Sequence, residues 1–227
     1  MADFDINHSA SILDSKDMIG FTRAFVEDIR KGLNAVNVER YPWIEELANG
    51  QWQGVLALGM GGSAAGGDFL SAICDLKGSV PVVVQRDYVI PAWWDEQWLI
   101  IATSHSGNTE EAIEATEIAL KSGATVIVIS TGGILSGLAE LHYNCYLIPS
   151  IGGQPPRSAF GHIFSRQLAL FRCLGIIPQD SDDQAMLSRL QTVVEEYDFI
   201  TNQESDLLEL TASVSYTHLT LPTICSV

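Results

Sequence analysis

The sequence predicts an α/β fold, a mostly five-stranded parallel sheet covered by helices on both faces. Two observations carry this reading. Short, wholly apolar runs at residues 54–58, 80–84, 99–102, 125–129 and 145–148 alternate with helical patterns, as parallel strands buried on both faces do. Glycine- and serine-rich loops follow the first and third of these runs, at 59–63 and 103–109. In open parallel sheets ligands bind outside the carboxyl ends of the strands, so both loops fall on one edge and point to a single site.

Taken in order, residues 1–15 are polar and read as a lead-in. Asp14 or Ser15 caps a helix to about Leu33, with Phe21, Phe25 and Ile29 on one face. Pro42 opens a second helical stretch to about Ala48, and Gly50 ends it. Residues 54–58 form the first strand, followed by a helix from about Ala64 to Cys74. Residues 80–84 and 99–102 are the second and third strands, and Trp93, Trp94 and Trp98 between them pack as a lid over the sheet edge. The next helix covers 109–122, with Ala112, Ala115, Ile118 and Ala119 inward and Glu110, Glu114, Glu117 and Lys121 outward. Glu117 and Lys121 form a favourable i, i+4 pair, and Gly123 stops the helix. Residues 125–129 are the fourth strand, Gly132-Gly133 turns into a helix to His142, and 145–148 is the fifth. A rigid turn, Gly152-Gly153-Gln154-Pro155-Pro156-Arg157, precedes a helix over 158–174, and residues 179–209 are acidic and helical in pattern.

Composition narrows the function. The 227 residues are 47% hydrophobic and 18% charged, ample for a core, and carry a formal net charge of −16. So acidic a chain repels nucleic acid, yet it can hold one phosphate with neutral donors and a helix dipole. Four cysteines without a C-x-x-C pair argue against a disulfide framework or zinc knuckle and fit a reduced, cytoplasmic setting. No metal or cofactor is expected. No signal peptide is apparent, and no apolar run approaches the ~18 residues of a membrane span.

The loop Thr103-Ser104-His105-Ser106-Gly107-Asn108-Thr109 packs hydroxyls and a glycine just where a helix begins. Unpaired N–H groups and the dipole make such a place an anion site. Asn108 and Glu111 are explained as N-cap and capping-box partner; Ser104, Ser106 and Thr109 are not, and their hydroxyls converge on one phosphate in this reading. No G-K-[ST] follows, which excludes a nucleotide P-loop. Gly59-x-Gly61-x-x-Ala64 matches the short dinucleotide fingerprint, with Asp87 as its acid, but that fingerprint does not need the second loop. Arg157, fixed by two prolines, suits stabilisation of a developing oxyanion. His105 and His162 read as packed or capped histidines without an orienting carboxylate.

Together, Gly59-Met60-Gly61-Gly62-Ser63-Ala64, Ser104–Glu111 and Pro156-Arg157-Ser158-Ala159-Phe160-Gly161 resemble a sugar isomerase (SIS) domain. More narrowly, they resemble the first half of bifunctional phosphoglucose/phosphomannose isomerases, over roughly residues 15–200. The resemblance implies a three-layer α/β/α, flavodoxin-like fold. It implies that Ser63, Ser104, Ser106 and Thr109 bind the phosphate of the sugar, that Gly61 and Gly62 shape the loop, and that Arg157 supports an enediolate. It also implies interconversion of glucose 6-phosphate or mannose 6-phosphate with fructose 6-phosphate, in a homodimer. The family's glutamate base and ring-opening histidine lie in second-domain segments resembling N-E-N and L-N-H-N, which this sequence lacks.

The expected organisation is therefore N-terminal helices over 1–50, a SIS domain over 51–177, an acidic helical linker over 178–211 and a charge-free tail foreign to the domain over 212–227. Truncation before the catalytic partner domain is expected. The competing readings are a non-catalytic sugar-phosphate-binding SIS module, a phosphoheptose or arabinose-phosphate isomerase, and a dinucleotide-dependent enzyme.

Overall fold

The computed structural model describes residues 6–179 and 182–198. They divide into two compact units, one of residues 27–181 and one drawing on residues up to 26 and from 182 onward. The acidic stretch beyond 198 and the 212–227 tail lie outside the described residues.

The larger unit is built on a five-stranded parallel sheet in the order β2-β1-β3-β4-β5, from β1 (Gly54–Leu58), β2 (Val82–Gln85), β3 (Trp98–Ser104), β4 (Val126–Ser130) and β5 (Cys145–Pro149). This is the flavodoxin strand order. β1 is the hinge of the topology: Leu56 pairs with Val83 on one side and with Ile100 on the other.

Alternation along each strand divides the core into two layers. Val55, Ala57, Leu99, Ile101, Ile127 and Ile129 face one cluster, with Leu70 of α4 (Gly61–Lys77), Ile44 of α3 (Trp43–Ala48) and Phe171 of α7 (Phe160–Cys173). Leu56, Leu58, Ile100, Ala102 and Val128 face the other, with Ala112, Ala115 and Ala119 of α5 (Glu110–Lys121) and Leu135 of α6 (Gly133–Leu141). The fold is thus three-layered, with helices on both faces of the sheet. Trp94 and Trp98 pack against the second cluster, and Trp93 tilts onto Trp98 at 4.9 Å between ring centroids.

Several boundaries move. α4 begins at Gly61 rather than near Ala64, because Gly61 and Gly62 enter the helix itself. β3 runs on to Ser104, because Thr103 and Ser104 are buried and continue the ladder to Ile129 and Ser130. On α5, Ile118 is 37% exposed, and Thr116 and Leu120 are buried in its place. Lys121 reaches Glu117 at 2.9 Å as the spacing predicts.

In the smaller unit, residues 6–13 are helical (α1, Ile6–Leu13) rather than a plain lead-in. Asp14 then caps α2 (Met18–Ala35), its carboxylate accepting from the Met18 and Ile19 amides at 2.7 and 2.9 Å. The acidic segment supplies α8 (Asp183–Glu196), and the Arg23 guanidinium forks onto Asp198 at 2.7 and 3.0 Å.

The two-layer core predicts that Ile101→Ala, at a fully buried central-strand position, costs about 2–5 kcal/mol. Ile118→Ala should cost no more than about 0.5 kcal/mol. Urea unfolding of the two variants checks this, and equal losses would contradict the layer assignment.

Candidate functional site

The strand order reverses between β1 and β3, and the loops leaving these two strands flank the crevice at the carboxyl edge. Strand geometry alone brings Gly61, Gly62 and Ser63 to one side of it and Ser104, Ser106 and Thr109 to the other. The two loops touch: the His105 amide donates to Ser63 Oγ at 3.2 Å. The 154–157 turn joins them at Gly62, where a Cβ would lie 3.6 Å from the Pro156 carbonyl oxygen.

Hydroxyls do the local work. Ser104 is buried, with Oγ accepting from the Gly107 amide at 3.1 Å and lying 2.8 Å from Thr109 Oγ1. Ser106, exposed at the loop tip, accepts from the Asn108 amide at 3.2 Å. Ser63, Ser104 and Ser106 therefore all accept a backbone N–H on oxygen. A hydroxyl whose oxygen is occupied this way keeps its proton for donation elsewhere. The loop turns at Gly107, where φ is +69° and a Cβ would lie 1.7 Å from the Gly132 carbonyl.

Asn108 is not the N-cap of α5. Thr109 holds that position, while Asn108 Oδ1 accepts from the Ile134 amide at 3.1 Å and ties the loop to α6. Glu111 does not turn back to complete a capping box; its charge acts on the Tyr88 phenol and raises that pKa. The first turn of α5 is left to its own N–H groups and the dipole.

Arg157 is exposed at the end of the turn and forms no ion pair with a described residue. Asp87, the acid of the dinucleotide reading, is exposed and accepts from its neighbour Tyr88's amide at 2.7 Å.

Behind the loops lies a buried polar cluster that sequence reasoning missed. His162 on α7 has an orienting carboxylate after all: its Nε2 lies 3.1 Å from Asp28 Oδ1, both side chains almost wholly buried. Gln154 Nε2 donates to Asp28 Oδ2 at 3.0 Å. The remaining partner is supplied by α2, far away in sequence, so no local pattern reveals the pair. Burial pushes the His162 pKa below its ordinary value of 6.5, and the attraction of Asp28 offsets this only in part. With the proton on Nε2, facing Asp28, Nδ1 is buried without a hydrogen-bond partner among the described residues, so a second proton there would find no acceptor among them. The buried thiols are not nucleophiles: desolvation raises Cys74 to about 11 and Cys145 to about 12. Among the described residues no group of three His, Cys, Asp or Glu is placed to hold a metal. No described helix is long and apolar enough to cross a membrane.

No protein-family model matches the sequence. Among solved structures, tagatose-6-phosphate ketose/aldose isomerase from Escherichia coli superposes with a TM-score of 0.56, at 20% identity, over 77% of this chain and 54% of that one. The fold is that of a sugar isomerase (SIS) domain. The Vibrio vulnificus NanR protein complexed with ManNAc-6P shares it, with a TM-score of 0.55, 17% identity, and coverage of 83% of this chain and 72% of that one. Sequence similarity is closer. A bifunctional phosphoglucose/phosphomannose isomerase of Caldicellulosiruptor bescii is 41% identical over 155 residues, 67% of this chain and 45% of the relative. A protein of the same description from Thermoplasma volcanium is 41% identical over 114 residues, 50% of this chain and 35% of the relative. The chain thus spans less than half the length of these curated relatives.

Two expectations follow from the site. Gly107→Ala combines a left-handed backbone with a clash against the Gly132 carbonyl, and should cost about 3 kcal/mol or more, lowering Tm by about 6–12 °C; an unchanged Tm would contradict the loop geometry. His162 binds its proton less readily folded than unfolded, so its contribution to stability is intact above pH 6.5 and is lost as pH falls below that. Between about pH 7.5 and about pH 5.5, wild-type Tm should therefore fall more steeply than that of His162→Gln. Parallel curves would overturn this.

Proposed function

We propose that the crevice between the 59–63 and 104–109 loops binds the phosphate of a hexose phosphate. In this reading the chain is part of an enzyme that interconverts glucose 6-phosphate or mannose 6-phosphate with fructose 6-phosphate. The observation that carries the reading is the set of serines at the β1/β3 switch point. Ser63, Ser104 and Ser106 accept backbone N–H groups on oxygen and so present their protons, as an anion requires. Ser63, Ser106 and Thr109 are the direct donors in this reading. Buried Ser104 holds the turn and, its oxygen accepting from the Gly107 amide, donates its hydroxyl hydrogen bond to Thr109 Oγ1 or the ligand. Gly61, with φ of +51°, and Gly62 let the chain pass close to the phosphate.

Neutral donors and a helix dipole suit a protein of net charge −16, because a bound phosphate gains charge-assisted hydrogen bonds without a basic patch. In this reading the Arg157 guanidinium, on the turn whose Pro156 carbonyl lies beside Gly62, supports the oxyanion of an enediolate as a proton moves between C1 and C2. The base that moves that proton is supplied from outside this chain. The enzyme works as a cytoplasmic homodimer, without cofactor, and binds neither nucleic acid nor membrane. Support for the substrate comes from the names of the sequence relatives.

Calorimetric titration of the 227-residue chain with fructose 6-phosphate tests the reading. Ser106→Ala and Thr109→Val should each weaken binding by about 10–100-fold, the loss of one hydrogen bond to a charged group. The chain alone should show no isomerase activity. Undiminished binding in both variants would refute the site, and turnover by the isolated chain would refute the assignment of the base elsewhere.

A further inference from the structure

Two buried polar atoms near the site, Gln154 Oε1 and His105 Nδ1, make no hydrogen bond with a described residue. Such atoms carry a desolvation cost, and their neighbours show what that cost accompanies. Gln154 has contacts in two directions. Its side-chain amide donates to Asp28 Oδ2 at 3.0 Å and lies 3.1 Å from His162 Nε2. Its backbone carbonyl lies 3.0 Å from His105 Nε2, which fixes the proton of that ring on Nε2. His105 is itself held by its main chain on two further sides. Its amide donates to Ser63 Oγ at 3.2 Å, and its carbonyl accepts from Thr131 Oγ1 at 2.6 Å and the Thr131 amide at 3.2 Å.

We propose that Gln154 is a positioning residue, coupling the buried Asp28–His162 pair through His105 to the phosphate loop and so setting the affinity of the site without touching the ligand. The inference rests on the phosphate reading above. Geometry gives the coupling its direction. Pro155 and Pro156 follow Gln154 and restrict the backbone there, so an anchored side chain fixes its own carbonyl. That carbonyl orients His105, and the His105 amide sets the oxygen of Ser63. The Pro156 carbonyl lies beside Gly62, so the same anchor holds the turn bearing Arg157 against the start of α4. Lys31 on α2, Arg166 on α7 and His105 are the other titratable groups acting on His162. Arg166 is spent on carbonyls, donating to Pro149 and His162 at 3.1 and 2.9 Å, which leaves Asp28 to His162 and Gln154.

The test measures fructose 6-phosphate binding by the full 227-residue chain and its Gln154→Met, Asp28→Asn and double variants, with folding followed by circular dichroism. Gln154→Met keeps the bulk of the side chain and removes its donor. Each single variant should weaken binding by about tenfold, and the double variant by no more than about the same factor, because both break one chain of contacts. A purely structural role would lower Tm and leave the affinity of the folded protein unchanged. Should Gln154→Met not fold, Asp28→Asn and Gln154→Glu carry the same comparison. Wild-type affinity in the single variants, or multiplied losses in the double variant, would overturn the proposal. Ser106→Ala separates the two readings. Binding lost there but kept in Gln154→Met sinks this inference alone, whereas a wild-type chain that does not bind fructose 6-phosphate sinks both.

Discussion

The reversal of strand order between β1 and β3 is the constraint on which the site depends. β1 feeds α4 and β2 on one side, while β3 feeds α5 and β4 on the other, so the two loops at this point have no helix between them. They can approach until the His105 amide meets Ser63 Oγ. Elsewhere on the same edge, β4 and β5 end in Ser130 and Pro149, and their loops serve as supports. Thr131 holds the His105 carbonyl, and Ser130 Oγ donates to the Gly132 carbonyl at 2.9 Å. The carboxyl edge is thus graded, from donors at the switch point to braces on its far side.

The chemistry of the edge matches the electrostatics of the whole. A basic pocket would stand out in a chain of net charge −16, but none is needed if the anion is met by hydroxyls and amides. Such donors are held by the backbone they bond, and their orientation is settled before a ligand arrives. Glu110 and Glu111 stand in the first turn of α5, and the charge of Glu111 raises the pKa of the Tyr88 phenol. The design trades local stability for this arrangement: Gly107 occupies a left-handed conformation with no room for a Cβ, and buried atoms of His105, Gln154 and His162 go without partners among the described residues.

Much of this was legible in the sequence, for a physical reason. Strands buried on both faces must be apolar throughout, so β1 and β4 show as runs such as Val126-Ile127-Val128-Ile129, and the glycines after them mark where the chain turns. Polar residues that finish a strand break that signal. Thr103 and Ser104 look like loop, yet both are buried in the ladder, Thr103 accepting from Gln167 at 2.9 Å. Asn108 and Glu111 obey the capping-box spacing, but the Ile134 amide of α6 takes the Asn108 side chain and Thr109 holds the N-cap position. The pairing of Asp28 with His162 was invisible for the same reason, since only the packing of α2 on α7 makes them neighbours. Local chemistry located the loops; tertiary packing decided what each side chain in them does.

The central claim is that a sugar's phosphate is held at the β1/β3 crevice by neutral donors. A crystal structure of the chain grown with fructose 6-phosphate tests it most directly. The account predicts phosphate oxygens within about 2.7–3.2 Å of the Ser63, Ser106 and Thr109 hydroxyls and the first amides of α5. Phosphate bound away from these groups, or a crevice left unfilled by a ligand bound elsewhere, would contradict it.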